Sequence, residues 1–177
     1  LLHYSHNQQR TSLSGNSVNM VMEDRHGYIW IASESGLDRY VEGSETFQRF
    51  GEQLNRPGSI KSIVQGPAGR LWLGSLKGLI SFNPTTGTVR YFDMNDGLPT
   101  NDFFQKAALK TKTGELYFGS PKGFTHFEPA ELRDLQTPSY FYFTDFSVFN
   151  EEQSPNSSTS SLSKVLPFTE KLEIRPD

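Results

Sequence analysis

The chain has no cysteine among its 177 residues. That removes disulfides, thiol catalysis and thiolate metal sites, and it suits an oxidising or a reducing compartment equally. Long apolar runs are missing too: no stretch of 18 exists, and mean hydropathy is −0.55, so these residues contain no membrane-spanning helix. There is no excess of basic charge. Seventeen Lys and Arg stand against 20 Asp and Glu, a net charge of −3, which is no footprint for nucleic acid. The opening LLHYSHNQQR (1–10) has neither the apolar core nor the small-residue cleavage site of a signal peptide. Histidine is sparse. His3, His6, His26 and His126 show no metal-binding spacing, so no metal or other cofactor is expected.

What the chain has is aromatic residues and repetition. Aromatics make up 13% of it, with 14 Phe, which suits stacked β-structure. One phrase occurs three times: HGYIWIASESGLDRY at 26–40, AGRLWLGSLKGLISF at 68–82 and TGELYFGSPKGFTHF at 113–127. Trp30 and Trp72 are 42 residues apart, Trp72 and Tyr117 45. Each copy runs from a turn glycine through an apolar strand to Ser, two variable residues, Gly and a further apolar strand. A repeat of this period built only of short strands predicts β-propeller blades.

The fold class expected is therefore all-β: a partial propeller of about three four-stranded blades, followed by the first strands of a β-sandwich. Strands are predicted at 18–22, 28–33, 37–40 and 47–50; at 60–64, 71–74, 79–82 and 89–92; and at 107–110, 116–119 and 124–127. The second strand of each set is an almost unbroken apolar run, as expected of a strand covered on both faces. Residues 1–4 (LLHY) resemble the fourth-strand segments FQRF and RYF, so they read as the last strand of a preceding blade. The third blade lacks a fourth strand of its own. The boundaries expected are 1–15 for that strand and its loop, 16–57, 58–99 and 100–135 for the blades, and 136–177 for the sandwich. EPAELRD (128–134) has Pro at a first helical position and reads as one helical turn. SYFYFTDFSVFN (139–150) reads as a long strand, 151–163 as a Ser-rich loop and 172–174 as a further strand.

The repeated positions are assigned to the fold. Gly27, Gly69 and Gly114 serve the hairpin before each second strand, and Gly36, Gly78 and Gly123 the turn after it. Trp30, Trp72 and Tyr117 tempt a sugar-stacking reading, but their place within an apolar run assigns them to the core between blades. The carboxylates Glu23 and Asp24 precede a turn and are expected to bond backbone amides there. They have no nucleophile or histidine in register, so no catalytic residue is assigned. Asn156-Ser157-Ser158 fits a glycosylation acceptor but sits in a Ser-rich stretch.

Binding is placed on one rim, where the loops between second and third strands and the loops between blades emerge together. The candidates are Glu34, Lys77 and Lys122 in the repeated turns, with Asn55, Arg56, Asn95, Asp96, Asn101 and Asp102 in the connecting loops. A partial propeller also leaves strand edges and apolar faces uncovered, which predicts a homo-oligomer.

The phrases SVNMVMEDRHGYIWIASESGLDRY and SIKSIVQGPAGRLWLGSLKGLISFNP resemble successive two-component regulator propeller repeats. NDGLPTNDFFQKAALKTKTGELYFGSPKGFTHFEPAEL (95–132) resembles the last blade of such a propeller, and FTDFSVFN (143–150) the start of the Y_Y_Y-type β-sandwich that follows it. The resemblance implies a non-catalytic periplasmic sensor region of a bacterial inner-membrane receptor, with a histidine kinase or diguanylate cyclase as its cytoplasmic output. Inputs of that family are often oligosaccharides, which implies a carbohydrate ligand. The rival expectations are a propeller lyase or hydrolase acting on glycans and a protein-interaction scaffold.

Overall fold

A computed structural model of the chain describes residues 1–55 and 57–132, together with short strands at Ser147–Val148 and Glu151–Glu152. Arg56 and most of the expected sandwich with its Ser-rich loop lie outside the described residues. The chain divides into two compact units, Leu1–Arg133 and Asp134–Asp177.

The first unit is a stack of antiparallel sheets. β1 (Val18–Glu23), β2 (Ile29–Ser33), β3 (Gly36–Val41) and β4 (Thr46–Arg49) pair in chain order. β5 (Ile60–Gln65), β6 (Leu71–Ser75), β7 (Leu79–Phe82) and β8 (Val89–Phe92) repeat that order. β9 (Ala108–Lys110), β10 (Leu116–Ser120) and β11 (Gly123–Phe127) form a third sheet, with three strands among the described residues. Even an irregularity recurs: the first strand slips register between Val18 and Met20 and again between Ile60 and Ser62. A bulge repeated at one position adds local twist.

The sheets pack face to face and converge on their first strands, β1 beside β5 and β5 beside β9. Direct hydrogen bonds fasten these strands and the segments that lead into them. The buried Asn19 amide donates to the Ile60 carbonyl at 2.7 Å, and the Lys106 N–H donates to the Lys61 carbonyl at 3.1 Å. Between the first two blades, Trp30 is fully buried with Phe50, Ile63, Leu71, Leu73 and Phe82. Between the second and third, Trp72 packs with Phe103, Leu116, Phe118 and the partly buried Phe127. Truncating an aromatic buried this way typically costs about 3–5 kcal/mol, so these two tryptophans hold the stack.

A leucine ahead of each blade completes these interfaces. Leu54 is fully buried in the first and Leu98 partly buried in the second, while Leu13 packs with Ile31 and Phe47 on the opposite face of the first blade. The chain preceding a blade thus supplies part of the core beneath it.

Tyr117, the third member of the Trp30 and Trp72 series, departs from the expected core. It is half-buried and stacks on His126, with ring centroids 5.2 Å apart and planes at 15°. Its neighbours Leu109 and Phe124 are exposed. The reason lies in the order of the stack: each second-strand aromatic is buried by the following blade, and among the described residues none follows the third.

The other departure is at the N-terminus. Residues 1–4 form no strand. A strand needs a partner backbone, and here Tyr4 turns its ring onto the first blade, meeting Tyr40 and Phe47 at 5.5 and 5.4 Å. The hydrogen bond between the Tyr4 and Tyr40 hydroxyls pushes the Tyr4 phenol up to about 12. Instead, the segment just before Leu13 flanks β4, where Phe47 donates its N–H to the Thr11 carbonyl at 2.7 Å.

The Pro129 segment makes a hydrogen-bonded turn, Glu131 N–H to Glu128 carbonyl, rather than a helix. In the second unit β12 (Ser147–Val148) pairs antiparallel with β13 (Glu151–Glu152), so residues of the expected long strand pair with the first residues of the expected Ser-rich loop.

Candidate functional site: the rim of repeated turns

Each turn between second and third strands is built the same way. Ser33, Ser75 and Ser120 are buried at the end of the second strand. The hydroxyl of each donates to the carbonyl of the glycine three residues on: Gly36 at 3.3 Å, Gly78 at 2.8 Å and Gly123 at 3.2 Å. The same oxygen accepts the N–H of the second variable residue, from Ser35 at 3.2 Å, Lys77 at 3.0 Å and Lys122 at 3.3 Å. Hydroxyls that bond their own backbone in this way stabilise a turn locally. The backbone is clasped, and the side chains of Glu34, Ser35, Lys77 and Lys122 stay exposed.

Why glycine closes these turns is clearest at Gly78, where φ is +114° and its N–H donates to the Asn101 carbonyl at 2.7 Å. A Cβ there would run into the Phe92 carbonyl oxygen. The bond to Asn101 also joins the turn to the loop leading into the third blade. In the first blade Glu34 donates its N–H to the Ser17 carbonyl at 3.0 Å, which joins that turn to the loop leading into its own blade. The two loop types therefore meet on one rim.

Two recesses flank the second turn. Lys77 and Asn55 line one of about 190 Å³, with Pro57, Ile80 and Tyr91. On the other side Asp102 lines a larger one of about 530 Å³, with Lys61, Leu76, Phe103, Phe104 and Gln105. A third, of about 700 Å³, adjoins the first turn through Ser35 and includes Ser14, Arg10, Arg49 and Glu52. Beside it Asp38 is buried, its carboxylate accepting from the Ser14 N–H at 2.9 Å and the Ser14 hydroxyl at 2.7 Å. Burial pushes the Asp38 carboxyl up, opposed by those bonds and by Arg49.

The nine candidates do not form one cluster. Lys77 and Asn55 come together, and Asp102 shares the neighbouring recess with Leu76 of the same turn. Glu34 and Lys122 sit on the turns one blade to either side, and Arg56 is outside the described residues. Asp96 and Asn101 are occupied in holding their loop: Asp96 accepts the Asp93 N–H and the Asn101 side chain accepts the Met94 N–H, both at 2.9 Å. Asn95 is exposed beside them.

Sequence reasoning passed over Lys61, Leu76, Phe104 and Gln105. Leu76 and Phe104 carried a signal, since both are large apolar side chains in loop segments and both are about half exposed. Together they give the larger recess an apolar wall beside a lysine, an aspartate and a glutamine. Such a wall suits a small amphipathic ligand, with polar groups to fix its orientation.

Residues 12–35 match the family model described as two component regulator propeller. Those residues are similar to one such propeller repeat. The match runs from the segment before β1 to the clasped turn after β2, so the first repeat contains both the leucine beneath a blade and the serine on its rim. Over 137 residues, 76% of its length, the chain is 29% identical to Histidine kinase P4 of Formosa agariphila and covers 10% of that protein. It superposes with a TM-score of 0.64 on the extracellular domain of a hybrid two component system from B. thetaiotaomicron, at 20% identity, covering 88% of this chain and 21% of that one. PorZ, a surface component of the type-IX secretion system of Porphyromonas gingivalis, gives a TM-score of 0.56 at 13% identity, with 71% and 19% covered. The chain spans about a tenth of the curated relative's length, and the two structures share its all-β blade architecture.

Proposed function

We propose that this chain is part of the sensor region of a bacterial membrane-bound signalling receptor, lying on the outer side of the inner membrane and performing no catalysis. It reads a small ligand, an oligosaccharide or a molecule of similar polarity, on the rim of repeated turns. The parent receptor passes that reading to a cytoplasmic histidine kinase or diguanylate cyclase. The likeness to Histidine kinase P4 and to an extracellular two component domain supports the signalling role.

The observation that carries the ligand reading is the serine clasp. It holds three turn backbones alike, with Ser35, Leu76 and Lys77 lining the recesses beside the first two turns. Sites of this kind place changeable side chains on a fixed scaffold. Signalling further requires that the ligand favour one arrangement of the receptor over another.

The test is a titration of the isotope-labelled chain with a panel of oligosaccharides, followed by backbone NMR. Shifts confined to residues 75–78 and 102–105 are the expected outcome, with no turnover of the glycan. Cleavage of a glycan would instead establish the lyase or hydrolase alternative. Silence towards glycans together with capture of a defined protein partner would establish a scaffold.

A further inference from the structure

The chain entering the first blade meets it through two phenols. Tyr4 lies ahead of the blade and Tyr40 on β3, 36 residues on, yet their hydroxyls share a hydrogen bond at 3.1 Å. Their ring centroids are 5.5 Å apart with planes at 55°. Phe47 backs both rings, at 5.4 Å from Tyr4 and 5.5 Å from Tyr40.

One blade later the same contact is made without oxygen. LLHY (1–4) aligns with FQRF (47–50), and Tyr40 with Phe82, 42 residues on. Phe50 and Phe82 meet with centroids 5.5 Å apart and planes at 64°, and both are buried. Tyr4 and Tyr40 are each only partly buried. Both members of the first pair thus carry a hydroxyl where both members of the second are plain rings. Water would satisfy either hydroxyl at such a surface; here they satisfy each other. Among the described residues no other two tyrosine hydroxyls are bonded together. Tyr4 also lines a recess of about 210 Å³ with His3, Asn7, Glu45 and Phe47. That is ample for a small polyatomic oxidant, since a water molecule takes about 30 Å³.

We infer that Tyr4 and Tyr40 form an oxidative cross-linking site, at which small peroxide-derived radicals join them as dityrosine. Two such radicals, for example carbonate radical anions, each take one hydrogen atom from a phenol hydroxyl and end as bicarbonate. The two phenoxyl radicals pair their electrons in one new carbon–carbon bond, between ring positions ortho to the hydroxyls. The ring hydrogens at those positions shift to the oxygens, which restores two phenols. Hydroxyls in contact put the ortho carbons within reach of a ring rotation about the soft χ2 torsion. Groups held in contact also react at an effective concentration far above that of a second molecule. The bond pins the incoming chain to β3.

The experiment exposes the full chain, at low micromolar concentration, to photochemically generated carbonate radical and maps cross-linked peptides by mass spectrometry. The expected product is a monomer in which the peptides holding Tyr4 and Tyr40 are joined with loss of two hydrogen atoms. Its thermal midpoint should rise by several degrees, as for closure of a loop of this length. Tyr40→Phe keeps the ring and should abolish the product, whereas Tyr28→Phe should leave its yield unchanged. Unfolding the chain in urea before exposure should lower the yield by about fivefold or more. A parallel sample of free tyrosine, which must dimerise, establishes that the oxidant is active. Cross-links that join other tyrosines or separate molecules in preference to this pair overturn the site. An equal yield from the unfolded chain, or no product where free tyrosine dimerises, overturns it too.

Discussion

The Asp24 carboxylate accepts a 2.8 Å hydrogen bond from the Trp30 indole, and 42 residues on, at the corresponding place in the second blade, Gly66 faces Trp72 with nothing to offer it. Asp24 also accepts the N–H groups of His26 and Tyr28, so one side chain ties the hairpin to the interface core. Trp72 leaves its indole N–H buried and unpartnered, and its ring lies so close that a Cβ on Gly66 would meet it at 2.8 Å. The second blade has exchanged a hydrogen bond for closer packing. Asp24→Ala should destabilise the chain by about 1–3 kcal/mol through the orphaned indole. Urea denaturation followed by tryptophan fluorescence measures it, and an unchanged midpoint would refute the role.

Gly78→Ala should be among the most damaging single substitutions. Its Cβ has no space before the Phe92 carbonyl, and φ is already in the left-handed half of the map. A loss of about 3 kcal/mol or more is expected. Gly87 also has positive φ but open space around it, so Gly87→Ala should cost only about 1–2 kcal/mol. Comparing the two by thermal unfolding separates steric exclusion from backbone strain.

Asp38 gives a pH dependence with a definite sign. Its carboxyl is raised by burial, so the folded protein holds that proton more tightly than the unfolded chain does. The stability tied to this group is therefore full at pH values below the unfolded carboxylate range and is lost as pH rises through the folded value. Asp38→Asn removes the titration. The stability of the natural chain relative to Asp38→Asn should accordingly increase on going from pH 7 to pH 4. Denaturant midpoints of both proteins at the two pH values check it, and a change in the opposite direction would exclude the raised carboxyl.

Rim side chains should separate binding from folding. Leu76→Ala and Lys77→Ala alter exposed groups on a clasped backbone, so their stability cost should stay within about 0.5 kcal/mol. If the proposed rim site is right, affinity for an oligosaccharide that shifts residues 75–78 in the NMR titration should fall at least several-fold, measured by calorimetry. Ser75→Ala is the contrasting case: it removes the clasp and should loosen the turn, read as faster hydrogen exchange at Lys77.

The far face of the third blade presents Leu109, Tyr117, Phe124 and His126. We propose that copies of this chain self-associate through it. Sedimentation should show concentration-dependent association at micromolar protein, weakened by the pair Leu109→Ser and Phe124→Ser. A monomer across that range would rule it out.

Much of the architecture was legible because period and turn chemistry speak locally. Ser33, Ser75 and Ser120 with their glycines mark the same turn three times, and the strands between them follow from apolar runs of limited length. Tyr117 could not be read from its repeat position, because burial depends on the next blade and not on the tyrosine. Residues 1–4 have strand composition, but pairing needs a second backbone that composition does not supply. The leucines beneath the blades are hidden in the sequence for a simpler reason. Leu13, Leu54 and Leu98 precede their second-strand aromatics by 17, 18 and 19 residues, so a search at one fixed spacing aligns none of them with the others. On the rim, Leu76 and Phe104 lie in loop segments, outside the strand periodicity, where exposed apolar groups carry meaning.

The serine clasp divides each turn into a part that must stay and a part that is free to change. Ser75 and Gly78 answer to the fold, whereas Leu76 and Lys77 between them answer to no packing demand as strict. Substitution in the two middle residues is therefore cheap, and each blade can vary its pair independently of its neighbours. Three turns carry six such slots on one circumference. Changes at those slots can accumulate by small steps, with the stack of blades beneath unaware of them.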